Sequence, residues 1–102
     1  MENNFENRHW SIADETAENG NPVYELHFTE FYDDEIIATF YQDDEDSSTY
    51  FMTSKSLRQD ETLFNASSVE DMQEQVAEFV IEMWNDEVKC IQDRIQKFNE
   101  RN

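Results

Sequence analysis

From residue 69 to residue 98, apolar side chains recur in steps of three and four: Val69, Met72, Val76, Phe79, Val80, Met83, Trp84, Val88, Ile91, Ile95 and Phe98. That spacing gathers them on one stripe of an amphipathic α-helix. Ser67-Ser68-Val69-Glu70 precedes the stripe as a capping box, with Ser67 as the cap and Glu70 reaching back to it. The helix predicted over residues 68–98 is about 48 Å long at about 1.5 Å rise per residue. A compact domain of this size has a radius of gyration of only about 13 Å. Either the helix bends near Asn85 and Asp86, or its last third leaves the rest of the chain. In the second case Val88, Ile91, Ile95 and Phe98 form a surface for a second copy or for a target.

The first two thirds of the chain read as strands. Residues 9–13 alternate, with Trp10 and Ile12 on one side. Asn19-Gly20-Asn21-Pro22 is a turn signal. In residues 23–31, Tyr24, Leu26 and Phe28 share one face, and Glu25, His27 and Thr29 share the other. Tyr32-Asp33-Asp34-Glu35 suits a hairpin connection. Residues 36–42 are apolar on both faces, which marks a central strand. Residues 48–53 form a third strand, and residues 54–66 a loop or a short edge strand. The expected fold is α+β, a three- to four-stranded antiparallel β-meander with a long C-terminal amphipathic helix. It is read as one domain over residues 1–102: a loose N-terminus over 1–8, sheet and loops over 9–66, and the helix over 67–100. The predicted core is Tyr24, Leu26, Phe28, Ile36, Ala38, Phe40, Phe51, Val76, Phe79, Val80 and Met83.

Charge is distributed unevenly. The net charge is −18, and residues 1–85 hold 21 acidic against three basic residues, whereas residues 86–102 hold four of each. Glu70, Glu74, Glu78, Glu82 and Asp86 recur every four residues, with no Lys or Arg between Arg58 and Lys89. On a helix they form a row about 6 Å apart along the axis. Each like-charge i,i+4 pair costs about 0.2–0.5 kcal/mol, so helix stability does not select such a row. Phosphates along one DNA strand repeat roughly every 6–7 Å, and a carboxylate array of this spacing suits a groove built from Arg and Lys. Asp43, Asp44, Glu45 and Asp46 form a second acidic run, in a loop that can meet a basic partner. From Lys89 onward the signs alternate, with Lys89–Asp93 and Asp93–Lys97 at helical spacing.

Several functions are disfavoured. The chain has two histidines and one cysteine, with no Cys-His cluster of zinc spacing. One glycine cannot build a phosphate-binding loop. The 43–46 run lacks the alternating ligands, central Gly and distal Glu of a calcium loop. No catalytic residue, metal site or cofactor is expected, and the chain is read as a non-enzyme. The negative field repels nucleic acid and acidic membranes and attracts basic proteins. No apolar run is long enough to span a membrane. The lone Cys90 and the lack of a signal-peptide pattern place the chain in a reducing cytoplasm.

In size, acidity and layout the whole chain resembles the small phage-encoded DNA-mimic inhibitors, a group that includes anti-restriction proteins, uracil-DNA glycosylase inhibitors and anti-CRISPR proteins. The resemblance is one of composition and pattern, so no residue role transfers by motif. It implies a non-enzymatic inhibitor that fills a basic nucleic-acid-binding site on a host protein, for example a CRISPR effector or a restriction nuclease. Glu70, Glu74, Glu78, Glu82, Asp86, Asp43, Asp44, Glu45 and Asp46 are the expected partner-binding residues. The mismatch between helix length and domain size, independent of the resemblance, points to homodimerisation through the C-terminal helix as one use of the overhanging tail. The alternative is an acidic immunity protein, antitoxin or secretion chaperone that masks a basic partner.

Overall fold

A computed structural model describes residues 7–30 and 32–100. Residues 1–6, most of the 1–8 stretch expected to be loose, Phe31, expected to end a strand, and residues 101–102 lie outside the described residues, while Arg8 of that stretch is a strand residue paired with Phe28. Five strands are followed by one helix: β1 (Arg8–Ile12), β2 (Val23–Glu30), β3 (Asp33–Gln42), β4 (Thr49–Ser54), β5 (Gln59–Asn65) and α1 (Val69–Asn99). The strands form one antiparallel sheet in sequence order. The α+β meander is as expected, with two differences. It has five strands, because residues 59–65 pair along β4 as a full edge strand. The third strand begins at Asp33, so Asp33, Asp34 and Glu35 are ladder residues and not a connection.

With a single Pro and a single Gly, the connections are built by polar side chains. Gly20 takes φ 89°, and its N–H bonds to the Ala17 carbonyl at 2.9 Å. The amides of Asn19 and Asn21 both donate to the Gln42 carbonyl, at 3.0 and 2.8 Å, and pin this turn to the end of β3. At the β4–β5 turn the buried Ser54 hydroxyl donates to the Ile37 carbonyl and accepts from the Leu57 N–H.

The core lies between one sheet face and α1. It comprises Leu26, Ile37, Ala38, Phe40, Tyr50, Met52, Ala66, Met72, Val76 and Val80. Tyr24, Phe28, Phe64 and Phe79 pack half-buried around it. Three expected core residues are displaced: Ile36, Phe51 and Met83, the last half-buried on α1 beyond the end of the core cluster. Leu26 pairs with Ala38 but His27 with Ile36, so Ile37 is an extra residue in β3. This β-bulge reverses the alternation. Ile37 and Ala38 are both buried, and Ile36 is 44 % exposed. In β4, Phe40 faces Met52 and Tyr41 faces Phe51 across the ladder, so Met52 and Tyr50 point inward. Phe51 turns to the opposite face and packs on Tyr41, with ring centroids 5.3 Å apart.

The helix cap also shifts by one residue. Ser68 is the N-cap, and its hydroxyl accepts the Asp71 N–H at 3.1 Å. The Asp71 carboxylate in turn accepts the Ser67 N–H at 2.9 Å. Ser68 and Asp71 therefore take the cap and N3 positions, with Asp71 reaching back to the residue before the cap, which leaves Glu70 free of capping. α1 runs without interruption, and every residue from 84 to 100 is exposed. Its last third leaves the sheet and does not fold back. The radius of gyration is 16.9 Å and the longest extent 58 Å. Among the described residues no helix is long and apolar enough to cross a membrane.

These burials separate two substitutions that look alike in sequence. Phe40 is 1 % exposed, so Phe40→Ala should cost about 3–5 kcal/mol in urea unfolding. Phe79 is only half-buried at the edge of the interface, against Phe64, and its truncation should cost clearly less. Equal losses at the two positions would contradict this core.

Candidate functional site

The exposure of the acidic row follows from the core. Met72, Val76 and Val80 point into the sheet. Glu70, Glu74 and Glu78 each lie two residues earlier, about 200° around a helix of 3.6 residues per turn. All five row residues are exposed, and none makes a hydrogen bond or ion pair among the described residues. The row is not straight. Each four-residue step advances about 40° around the helix, so it winds about 160° from Glu70 to Asp86.

The start of the row borders a groove of about 800 Å³ between α1 and the β1–β2 side of the sheet. Trp10, Leu26, Phe28, Ile37, Val80, Ile81 and Trp84 supply its apolar lining, and Glu70, Gln73 and Glu74 line it from α1. The Phe28 and Trp84 rings meet there at 5.7 Å. Carboxylates beside an open apolar trough can take a basic segment that also carries an aromatic or aliphatic side chain.

The acidic loop divides into two pairs. One Asp43 carboxylate oxygen accepts the Glu45 and Asp46 N–H groups at 3.2 and 3.0 Å. Asp46 accepts the Ser48 N–H at 2.9 Å, the Ser48 hydroxyl at 2.7 Å and the Thr49 hydroxyl at 3.0 Å. The Ser48 and Thr49 donors hold the Asp46 carboxyl below its usual pKa. Asp43 and Asp46 are thus engaged in shaping the turn. Asp44 and Glu45 are exposed and accept no hydrogen bond from the described residues.

In the C-terminal segment Val88, Ile91, Ile95 and Phe98 are all exposed, as the overhang requires. Trp84, assigned to the core stripe by its spacing, is 36 % exposed, and Ile81, outside that stripe, is exposed on the same side. Cys90 is an exposed free thiol. Neither Lys89–Asp93 nor Asp93–Lys97 closes into an ion pair among the described residues.

A polar cluster on the helix-free face of the sheet was not anticipated as a unit. His9 and His27 are cross-strand partners, with rings stacked at 4.5 Å and 9° between planes. His27 Nδ1 lies 2.7 Å from Asp34 Oδ2, and His27 Nε2 lies 2.7 Å from the Ser11 hydroxyl. Thr29 donates to the other Asp34 oxygen at 2.9 Å, and Glu25 stands 3.7 Å from His27 Nε2. The sequence does place Glu25, His27 and Thr29 on one face, but the pairing with Ser11 and Asp34 depends on register. Ser11, His27 and Asp34 have the connectivity of a nucleophile–base–acid chain. They sit on an open sheet face, outside the groove, where the described residues enclose no substrate. His9, His27 and Asp34 also lie close enough to share a metal ion. The near-parallel rings direct their in-plane lone pairs along separate planes, so one ion cannot bind both without a ring turning. The cluster is best described as a polar clasp between β1, β2 and β3.

No family model, curated protein or solved structure matches this chain.

The clasp has a titration signature. The hydrogen bond from His27, then that from Thr29, lowers the Asp34 pKa. A depressed carboxylate pKa contributes stability above its unfolded value, and that contribution is lost as pH falls through the folded value. His27→Phe keeps a ring and removes the bond. In carbon-detected NMR the Asp34 titration midpoint should rise toward the usual carboxylate range in that variant. An unchanged midpoint would refute the clasp.

Proposed function

We propose that this chain is a non-enzymatic inhibitor that occupies a basic nucleic-acid-binding site on a host protein, such as a CRISPR effector or a restriction nuclease, in a reducing cytoplasm. The observation that carries the reading is the row of Glu70, Glu74, Glu78, Glu82 and Asp86, exposed over its whole length with no cation among the described residues to neutralise it. Stability does not account for it, because the four i,i+4 repulsions sum to about 1–2 kcal/mol of cost. A basic cleft would convert that cost into attraction.

Charge density sets a condition on the reading. Duplex DNA carries one charge per about 1.7 Å of axis. The row offers one per about 6 Å. It can stand for part of one strand only, and further acids must complete the footprint. Asp44 and Glu45 are the free carboxylates of the loop and are suited to that role, whereas Asp43 and Asp46 are occupied. The chain itself does not bind nucleic acid on this reading, since a net charge of −18 repels phosphate. The apolar surface of the helix tail is left for a second copy or for the target.

Immobilised chain should capture a nuclease, glycosylase or polymerase from cytoplasmic extract at low salt, and duplex DNA should displace it. Reversal of Glu74 and Glu78 to Lys should weaken that complex by at least about tenfold, because close interfacial charge pairs couple strongly. The same reversal should leave folding intact or slightly improved. Reversal of Asp93 and Glu100, in the charge-balanced tail, should do much less. Equal and harmless effects of both reversals, or simultaneous binding of DNA and this chain to the captured protein, would overturn the reading. Capture of a single small basic protein that DNA does not displace would instead mark an immunity protein, antitoxin or secretion chaperone.

A further inference from the structure

Six large apolar side chains of α1 are exposed: Ile81, Trp84, Val88, Ile91, Ile95 and Phe98. Their steps are three, four, three, four and three. This is the alternation of a and d positions in a heptad repeat, with Ile81, Val88 and Ile95 at a and Trp84, Ile91 and Phe98 at d. The stripe is continuous with the groove, because Ala77, Ile81 and Trp84 belong to the groove wall. Groove and stripe form one apolar surface that no described residue covers.

We propose that a second copy of this chain covers it, with residues 81–98 of the two helices packed antiparallel as a short coiled coil. The g positions decide the occupant, the orientation and the register. Within the stripe these are Glu87 and Arg94. Residues at e and g pair across a coiled coil and set partner and orientation. In an antiparallel pair centred between residues 89 and 90, Glu87 of each copy meets Arg94 of the other. All six apolar residues then fall into layers: Ile81 on Phe98, Trp84 on Ile95 and Val88 on Ile91, each occurring twice about the dyad. A slide of one heptad in either direction sets Glu87 on Glu87 or Arg94 on Arg94 at the dyad. A parallel pair sets Glu87 beside Gln92 and Arg94 beside Asn99, without an ion pair. It also brings two bodies of net charge −18 side by side, whereas the antiparallel pair places them at opposite ends.

The antiparallel register also uses the groove. Phe98, 88 % exposed, falls beside Ile81 and Trp84 of the other copy, at the groove mouth where Phe28 already meets Trp84. The overlap is short for a free coiled coil. Here the N-terminal half of α1 is already held by the sheet, so neither helix must be nucleated on association. Glu78 and Glu82 lie away from the stripe and remain open in the dimer. The dimer therefore does not depend on the inhibitor reading, nor conflict with it.

Sedimentation equilibrium of the full chain, from micromolar to sub-millimolar concentration, should give twice the monomer mass. Ile91→Asp should give a monomer with an unchanged circular dichroism spectrum, since Ile91 is exposed in the single chain. Glu87→Arg alone and Arg94→Glu alone should each raise the dissociation constant about tenfold, by turning two attractive pairs into two repulsive ones. The double exchange should restore it to near the original value. In a Cys90→Ser background, the Glu87→Cys/Arg94→Cys chain should form disulfide-linked dimers on oxidation, and Asn99→Cys should not. A monomer throughout the concentration range overturns the proposal. So does a dimer in which the double exchange stays as weak as the single ones, or in which Asn99→Cys cross-links readily.

Discussion

The packing of Met72, Val76 and Val80 onto the sheet governs the rest of the molecule. These three residues are buried to 5 % exposure or less, against a floor that includes Leu26, Phe40, Tyr50 and Met52. They fix the rotation of α1 about its own axis. Once the rotation is fixed, Glu70, Glu74 and Glu78 must face water, and the stripe from Ile81 to Phe98 must emerge on the β1–β2 side. One helix about 10 Å wide cannot cover five strands spaced about 4.8 Å apart. The uncovered half of that face is the groove. Acidic row, groove and overhanging stripe are therefore three consequences of a single helix–sheet contact.

The parts of the fold that depend on period were legible in the sequence. The 3.6-residue stripe gave the helix within one residue of its observed start and end, and the two-residue alternation gave β2 with its correct inner face. The missed features depend on pairing. Nothing local announces that Ile37 is inserted opposite the Leu26–His27 step, and that insertion exchanges the fates of Ile36 and Ile37. Phe51 was misplaced because alternation within a strand leaves its phase open, and only the facing of Phe40 on Met52 settles it. β5 carries Asp60, Glu61 and Thr62, which suit a loop as well as an edge strand. For the site, the acidic row was readable, whereas helix length left the tail either bent back or overhanging, and only the packing of α1 on the sheet decides for the overhang. Ile81 was missed because a stripe read for a core does not separate the residues that face the sheet from those that face a neighbouring helix. The His27 clasp could not be read, since its members lie on three strands.

Acidity in this chain serves two ends. Turns that most proteins make with Gly and Pro are made here with Asn and Asp, and three acids act locally. Asp43 and Asp46 hold the β3–β4 loop, and Asp71 holds the helix entry. Their hydrogen bonds come from donors within the same chain, which ties these carboxylates to the turn and the cap. Asp34 is engaged by His27 in the same way. The net charge thus overstates the surface available for recognition. The candidates that remain are the carboxylates without donors, foremost the helix row together with Asp44 and Glu45.

The change of charge pattern along α1 follows the change in its support. Up to Trp84, whose ring meets Phe28, the helix rests on the sheet, and burial of side chains such as Met72 and Val76, worth about 1.5–3 kcal/mol each, outweighs the repulsion along the row. Beyond that point no described residue packs on it. There the sequence turns to alternating signs, with Lys97 in the last turn where a cation complements the helix dipole. A segment that had only to remain helical in water would need nothing more, and polar residues would serve at every position. This one retains Val88, Ile91, Ile95 and Phe98, β-branched or aromatic residues that are weaker helix formers than Ala, Glu or Lys. In an isolated tail they cost helix stability and expose apolar area to water. That cost is recovered only when a second surface covers them.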